Sequence, residues 1–455
     1  MNLLVDYDDS DAEDTKQEEE PLPSTTSSAK PGQAILTSPL HLEEPSPSIH
    51  GGRSQTQPYK PPPGQTWPLG SHESLPVTTP VCSKRAQTPP AGLRPYVSKR
   101  QRLMTQPQAL RDASSDPQAT DLHLLSEVSE RIRPYIGRKL GRTELPKRVQ
   151  HHLSAHDGPV NTVQWCPVPH LSHLLLSVSM DKTVKVWDGA GSGRHLQTYS
   201  SHSGAVRDAC WLPCGRRILS GSFDNAACVT DVETGQVITR VDNQCRVTCV
   251  AVQPSDPAVF LCGGFSPEVK AWDSRTRTMV RAYKATIQQT LDILFLADGK
   301  EFVTSSDAVS RDSADRTLIA WDFGTTARIS NQMFHERYTC PSLALHPQED
   351  TFAAQTNGNY IALFSARRPY RMNKTKRFEG HKVEGYAVQC ELSPDGTVLS
   401  TGSSTGSVHF YDFHSSRNLF TLAAHQQACL NATFHPVLPA LVATCDWAGE
   451  IKVWN

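Results

Sequence analysis

His173-Leu-Leu-Leu-Ser-Val-Ser-Met-Asp-Lys-Thr-Val-Lys-Val-Trp-Asp188 is the stretch from which the fold is read. An apolar run, Leu174–Ser179, gives way to turn residues around Asp181, and a second run closes on an aromatic followed by an acid. Such short runs separated by a tight turn are paired strands. The same closure recurs at Trp187-Asp188, Thr230-Asp231, Trp272-Asp273, Trp321-Asp322, Phe364-Ser365, Tyr411-Asp412 and Trp454-Asn455. Successive closers lie 43, 42, 49, 43, 47 and 43 residues apart, so seven units follow residue 148. A fixed period of this length marks a repeat architecture in which each unit is one supersecondary block.

Within a unit the order of signals is constant. An opening histidine (His156, His202, His381, His425) stands 31, 28, 30 and 29 residues before its closer. Alternating runs such as Val160–Trp165 and Val206–Trp211 follow. Turn residues come next, at Pro213-Cys214-Gly215, Asp298-Gly299, Pro394-Asp395-Gly396 and His435-Pro436, and then small or apolar runs at Ile218–Ser222 and Val398–Ser403. Dense turns between short strands make the domain all-β. With its W-D endings, the pattern resembles the WD-repeat family, whose unit is a four-stranded blade. The resemblance implies a seven-bladed WD-repeat β-propeller. The sequence given stops at Asn455, after the third strand of the seventh unit, and Arg148–Ser154 is placed to supply the missing outer strand, leaving no open edge.

In that family the opening His, a strand Ser or Thr, the turn Asp and the strand Trp form a hydrogen-bonded relay. Carried onto this chain, the resemblance gives His156, Ser177, Asp181 and Trp187 as a complete set. Elsewhere the match is partial. Asp224 precedes Thr230 rather than a Trp, Asp315 precedes Trp321, and the Asp place is held by Ser266, Gly358, Thr405 and Ala448 in units three, five, six and seven. Blades that depart in this way are expected to rely on packing. A His beside an Asp also satisfies the first requirement of acid–base catalysis, but a pair that recurs with the repeat belongs to the blade's internal bonding. No nucleophile, phosphate loop or metal-ligand cluster accompanies it, and no enzyme activity or cofactor is expected. His151-His152 reads as incidental rather than as a metal site.

The first third of the chain contrasts with the repeats. Residues 1–149 hold 20 of 33 prolines but one of 12 cysteines (Cys82) and one of eight tryptophans (Trp67). Residues 1–20 carry a local charge of −8, leaving +7 on the remainder of a chain whose net charge is −1. Residues 1–119 are therefore read as a disordered region, acidic and then Pro/Ser-rich, with too little apolar surface to offset ordering entropy. It contains a PPII-prone run at Pro61–Pro63, Ser-Pro and Thr-Pro sites at Ser38, Ser46, Thr79 and Thr88, an acidic-kinase context at Ser10, and small basic clusters at Lys84-Arg85 and Lys99-Arg100 with Arg102. Residues 120–147 are expected to hold a short helix and linker: Leu122, Leu125, Val128 and Ile132 share a helical face, with Asp121 as cap and Pro134 as stop. The propeller takes 148–455.

No basic flank and apolar run of a secretory signal follows Met1, and no stretch approaches the ~18 apolar residues of a membrane span. The scattered cysteines form no C-x-x-C pair and read as small buried hydrophobes in a reducing compartment. Two surfaces are candidates for partners. Unit four is long, and its excess falls at Asp307–Ser313, an enlarged loop on a rigid scaffold. The second is a basic linker between units five and six, Arg367, Arg368, Arg371, Lys374, Lys376 and Arg377, flanked by Tyr370 and Phe378. Bases there would hold phosphates while an aromatic stacks; a solvated linker is the competing reading.

The strings at 173–181, 202–208, 378–387 and 443–454 resemble, more narrowly, the pre-mRNA-processing factor seventeen family of second-step splicing proteins. That resemblance covers residues 145–455. It implies a non-catalytic protein-interaction scaffold, nuclear with a cytoplasmic pool as the alternative, not secreted, and associated with splicing or ribonucleoprotein assembly. Its expected partners are protein complex subunits, and RNA reached through a ribonucleoprotein complex, with no membrane and a monomeric chain. An adaptor outside splicing, for ubiquitin-ligase substrates or signalling, is the alternative.

Overall fold

The computed structural model describes residues 124–125, 128–138, 141–307, 317–336 and 338–455. Among the described residues, twenty-eight strands form seven four-stranded antiparallel sheets, arranged as the blades of a propeller. Each blade runs from an innermost strand outward. In blade one these are Val160–Trp165, Leu174–Ser179, Val184–Asp188 and His195–Tyr199. Burial follows position. Leu174–Ser179 is buried at every residue, because its sheet is covered on both faces by neighbouring blades, while His195–Tyr199 is largely open.

Blade seven draws its outer strand from ahead of blade one. Val149–Ser154 pairs antiparallel with Glu450–Trp454, His152 opposite Lys452 and Leu153 opposite Ile451. The ring is thus closed by hydrogen bonds between segments about 300 residues apart in sequence.

Neighbouring blades are also tied near the axis, by at least one side-chain bond at each of the seven interfaces. Gln164 accepts from the Trp211 N–H (2.8 Å), Asp208 from the Val250 N–H (2.9 Å), Asp292 from the Leu343 N–H (2.6 Å), Ser342 from the Cys390 N–H (3.3 Å) and Glu391 from the Phe434 N–H (3.2 Å). The Thr248 hydroxyl donates to the Thr290 carbonyl (2.5 Å), and Asn431 Nδ2 to the Val163 carbonyl (3.2 Å). These side chains satisfy backbone groups that their own sheets leave free.

The segment before the ring departs from expectation. Instead of an α-helix ending at Pro134, a 3₁₀ turn spans Arg133–Tyr135. Packing explains it. Ile132 is fully buried in a cluster with Trp165 and Trp187, and Arg131 Nη1 donates to the Ala190 carbonyl (3.0 Å). The chain then crosses blade six, where the Thr143 N–H and hydroxyl both bond Asp395 at 2.7 Å, and runs beside Asn455. Residues 121–123 and 126–127 of the expected helix lie outside the described residues. So do the acidic tip, the proline-directed sites, the PPII run and the basic clusters of residues 1–119, and positions 308–316 of the long loop in unit four.

Candidate functional site

In blade one the relay residues meet in a single chain of bonds. Trp187 Nε1–H donates to Ser177 Oγ (2.9 Å), Ser177 contacts His156 Nε2 (2.8 Å), and His156 Nδ1 faces Asp181 (2.8 Å). Burial lowers the His156 pKa more strongly than Asp181 raises it. Burial also pushes the Asp181 carboxyl up, but hydrogen bonds from Thr183 and His156 more than offset this. The pair is therefore neutral imidazole and carboxylate. Nδ1–H donates to Asp181, and Nε2 accepts from the Ser177 hydroxyl. With both ring nitrogens and the hydroxyl engaged inside the blade, no group is left to attack or protonate a substrate.

The other blades vary this theme more than their sequences indicate. In blade two His202 joins Ser220 (2.8 Å) and Asp224 (3.1 Å), and Arg240 adds a bond to Asp224 (3.0 Å). Burial, then the Ser203 N–H, His202 and Arg240 in opposition, leave the Asp224 pKa at about 2. Blade seven holds a set that spacing hid. Trp454 donates to Thr444 (2.9 Å), Thr444 meets His425 Nε2 (2.8 Å), and Asp446, two residues before Ala448, lies 3.3 Å from His425 Nδ1. His425, Asp446 and Glu450 thereby place three potential ligand atoms within 4.8 Å of one another. The arrangement repeats blade one, and Lys452 Nζ lies 3.4 Å from Glu450, a cation where a metal ion would compete. We read it as blade bonding.

The blades expected to depend on packing retain polar links with one exception. Trp321 donates to Thr304 (2.9 Å) and Trp272 to Asn243 (3.2 Å). In blade six Tyr411 replaces Trp. His381 Nδ1 meets the Tyr411 hydroxyl (3.0 Å) and its Nε2 accepts from Gln355 of blade five (2.8 Å), so this histidine joins two blades. Burial, with His409 nearby, depresses the His381 pKa to about 4. Blade five has Phe364 stacked on Phe352 at 5.2 Å and relies on packing.

The basic segment is not a linker. Met372–Glu379 is the outer strand of blade five. Four of its six bases are engaged within the protein. Arg367 pairs with Asp350, Arg368 with Glu301 (2.5 Å) and Arg377 with Glu336 (2.5 Å), while Lys376 lies 4.2 Å above the Phe413 ring of blade six. Tyr370 and Phe378 are fully buried, so neither offers a face to a base. Arg371 and Lys374 remain exposed, with no ion pair among the described residues. Of the long loop only Asp307 is described; it accepts from the Gln288 and Gln289 N–H groups and so faces its own blade connection. His151 meets the Gly191 carbonyl (3.0 Å) and His152 meets Glu450 (3.2 Å), so the two imidazoles diverge.

One site had no counterpart in the sequence reading. In five innermost strands the register slips by one residue near the start, and the extra residues are Asn161, Arg207, Thr248, Leu291 and Leu430. A bulge re-aims the unpaired side chain; here Arg207 lines two adjoining hollows at the axis. Met180, Phe223 and Trp447, each directly following its blade's second strand, and Tyr386 complete their rims. In units one, two and three the bulged residue follows a valine (Val160, Val206, Val247), but in units four and seven it follows Thr290 and Cys429, so no common sequence signal marks it as axial.

The WD domain, G-beta repeat family matches residues 147–188, 193–231 and 372–412. Over 370 residues the chain is 56% identical to WD repeat-containing protein 25 of Mus musculus, covering 79% of this chain and 69% of that protein. It is 32% identical over 336 residues to pre-mRNA-processing factor 17 of Mus musculus, covering 73% of this chain and 56% of that protein. The protein of that name from Saccharomyces cerevisiae is 27% identical over 316 residues, 69% and 68% of the two chains. None of these names is that of an enzyme, and no helix among the described residues is long and apolar enough to cross a membrane.

Proposed function

The chain belongs to the family of WD repeat-containing protein 25, WD-repeat propellers homologous to pre-mRNA-processing factor 17, and from that membership we propose that it is a non-catalytic nuclear scaffold that holds protein subunits of a pre-mRNA splicing or ribonucleoprotein assembly. The observation that carries this reading is the 32% identity to a pre-mRNA-processing factor across 73% of the chain. The propeller supports it in kind. The histidine–aspartate pairs of blades one, two and seven are engaged in blade bonding. RNA enters through the assembly. Arg371, just ahead of the outer strand of blade five, and Lys374 within it are free to meet phosphate, and two such contacts give a small, salt-sensitive contribution rather than a self-sufficient RNA site.

Affinity purification of the tagged full-length chain from nuclear extract tests the proposal. Recovery of spliceosomal proteins together with small nuclear RNA is expected. Arg371→Glu with Lys374→Glu should lower the RNA recovered at low salt while the protein subunits stay bound. Recovery only of subunits unrelated to splicing, or exclusion of the chain from nuclei, would overturn it in favour of an adaptor outside splicing.

A further inference from the structure

Arg207 is the only charged residue among the five bulge residues of the innermost strands. It forms no hydrogen bond or ion pair with any described residue. Asp208 and Asp292 feel its charge, but their carboxyls accept from backbone N–H groups of the neighbouring blades rather than from Arg207. Around this cation the rim is apolar. Met180, Phe223, Tyr386 and Trp447 are all partly exposed, and Tyr386 meets Trp447 edge-on at 5.5 Å. Arg246 extends the cationic character outward, lying 5.9 Å over Phe223 and 5.8 Å over Phe265.

A cation at the base of an aromatic-rimmed hollow calls for an acid on a chain that also bears bulky apolar groups. Phosphate alone would leave the rim unused, and a nucleic acid strand would meet few cations. The chain carries such a ligand itself. Leu3-Leu4-Val5-Asp6-Tyr7-Asp8-Asp9 places four bulky apolar side chains and three carboxylates in seven consecutive residues, within a stretch of charge −8. Residues 10–147 separate it from the ring, a chain whose maximum reach of about 3.3–3.6 Å per residue far exceeds the radius of gyration of about 19 Å for a domain of ~300 residues. Tethering keeps its effective concentration high, so a modest intrinsic affinity suffices.

We propose that the axial hollow around Arg207 is the docking site of the chain's own segment Leu3–Asp9, with its carboxylates on Arg207 and its apolar side chains on Met180, Phe223, Tyr386 and Trp447. Docking there makes the mouth of the ring self-occupied, and any partner that uses the mouth must displace the segment.

The test is photo-crosslinking in the full-length protein with a benzophenone amino acid at Leu4. Intramolecular crosslinks to Met180, Phe223, Tyr386 or Trp447 are expected, and an excess of synthetic peptide 1–14 should suppress them. Loss of one charge-assisted contact corresponds to about a tenfold drop in yield, expected for Arg207→Ala with unchanged circular dichroism. Asp6, Asp8 and Asp9 changed together to Asn leave the propeller untouched and should lower the yield equally, which keeps the test decisive where Arg207→Ala does not fold. Crosslinks spread over other surfaces, crosslinks to a second copy, an undiminished yield in the Asn variant, or equal competition by a scrambled 1–14 peptide would each overturn the proposal.

Discussion

At the scale of single residues, the relay of blade one assigns Ser177 two duties. Its hydroxyl accepts from Trp187 and donates to His156 inside the core. Ser177→Ala leaves two buried polar groups without partners, each costing about 1–3 kcal/mol. In blade two the closer is Thr230, so Ser220 serves His202 alone. Urea unfolding should therefore show Ser177→Ala to be the more damaging change, by roughly 1–2 kcal/mol over Ser220→Ala. Equal losses would mean that the Trp187 contact contributes nothing. This relay was legible because Asp181 lies six residues before Trp187. Its counterpart at Asp446 was not, since there the turn is arranged so that the acid sits eight residues before Trp454 and still reaches His425. Fixed spacing records chain position, whereas the bond depends on where the turn sends the carboxylate.

At the scale of elements, strands were readable and their surroundings were not. Alternation and turn residues placed the innermost strands Val160–Trp165 and Val206–Trp211 where the structure has them. The basic run was read as a linker because charge density resembles loop composition. It forms a strand that packs at its two ends, through half-buried Met372 and buried Phe378, while Asn373, Lys374 and Thr375 between them stay exposed. The apolar spacing before the ring grouped Ile132 on one helical face, but the partners that bury it, Trp165 and Trp187, are contributed by tertiary packing that no local period encodes. Ile132→Ala should cost about 2–4 kcal/mol and loosen the segment that leads into Val149–Ser154. Hydrogen exchange should show lost protection there first, at a denaturant concentration that leaves Leu174–Ser179 protected. Simultaneous loss in both strands would show instead that the seam and the ring unfold as one unit.

At the scale of the whole molecule, the axial bonds bury three carboxyls, Asp208, Asp292 and Glu391. Burial raises Asp208 to about 6 and, with Asp208 adding repulsion, Asp292 to about 7; burial likewise raises Glu391 to about 7. Part of the surface of each opens to solvent, which moderates the effect. A carboxyl whose pKa rises on folding holds more protons in the folded chain. Its contribution is greatest below the unfolded value near 4 and declines as pH climbs through 6–7. Buried His381 and His435, depressed to about 4 and about 3, act oppositely and lose stability as pH falls below about 6.5. Asp292→Asn removes one acid without touching the histidines. Between pH 5 and pH 8 the parent should lose on the order of 1–2 kcal/mol relative to this variant in denaturant titrations. A pH-independent difference would show that Asp292 is already ionised throughout the range.

The seam between Val149–Ser154 and Glu450–Trp454 also imposes an order in time. During translation, Val149–Ser154 is made first and its partner about 300 residues later. At 5–20 residues per second that is a wait of roughly 15–60 s. Throughout it the nascent protein carries a strand with no neighbour and six blades with no ring, so a factor that shields open sheet edges on the ribosome would act on this chain until blade seven emerges.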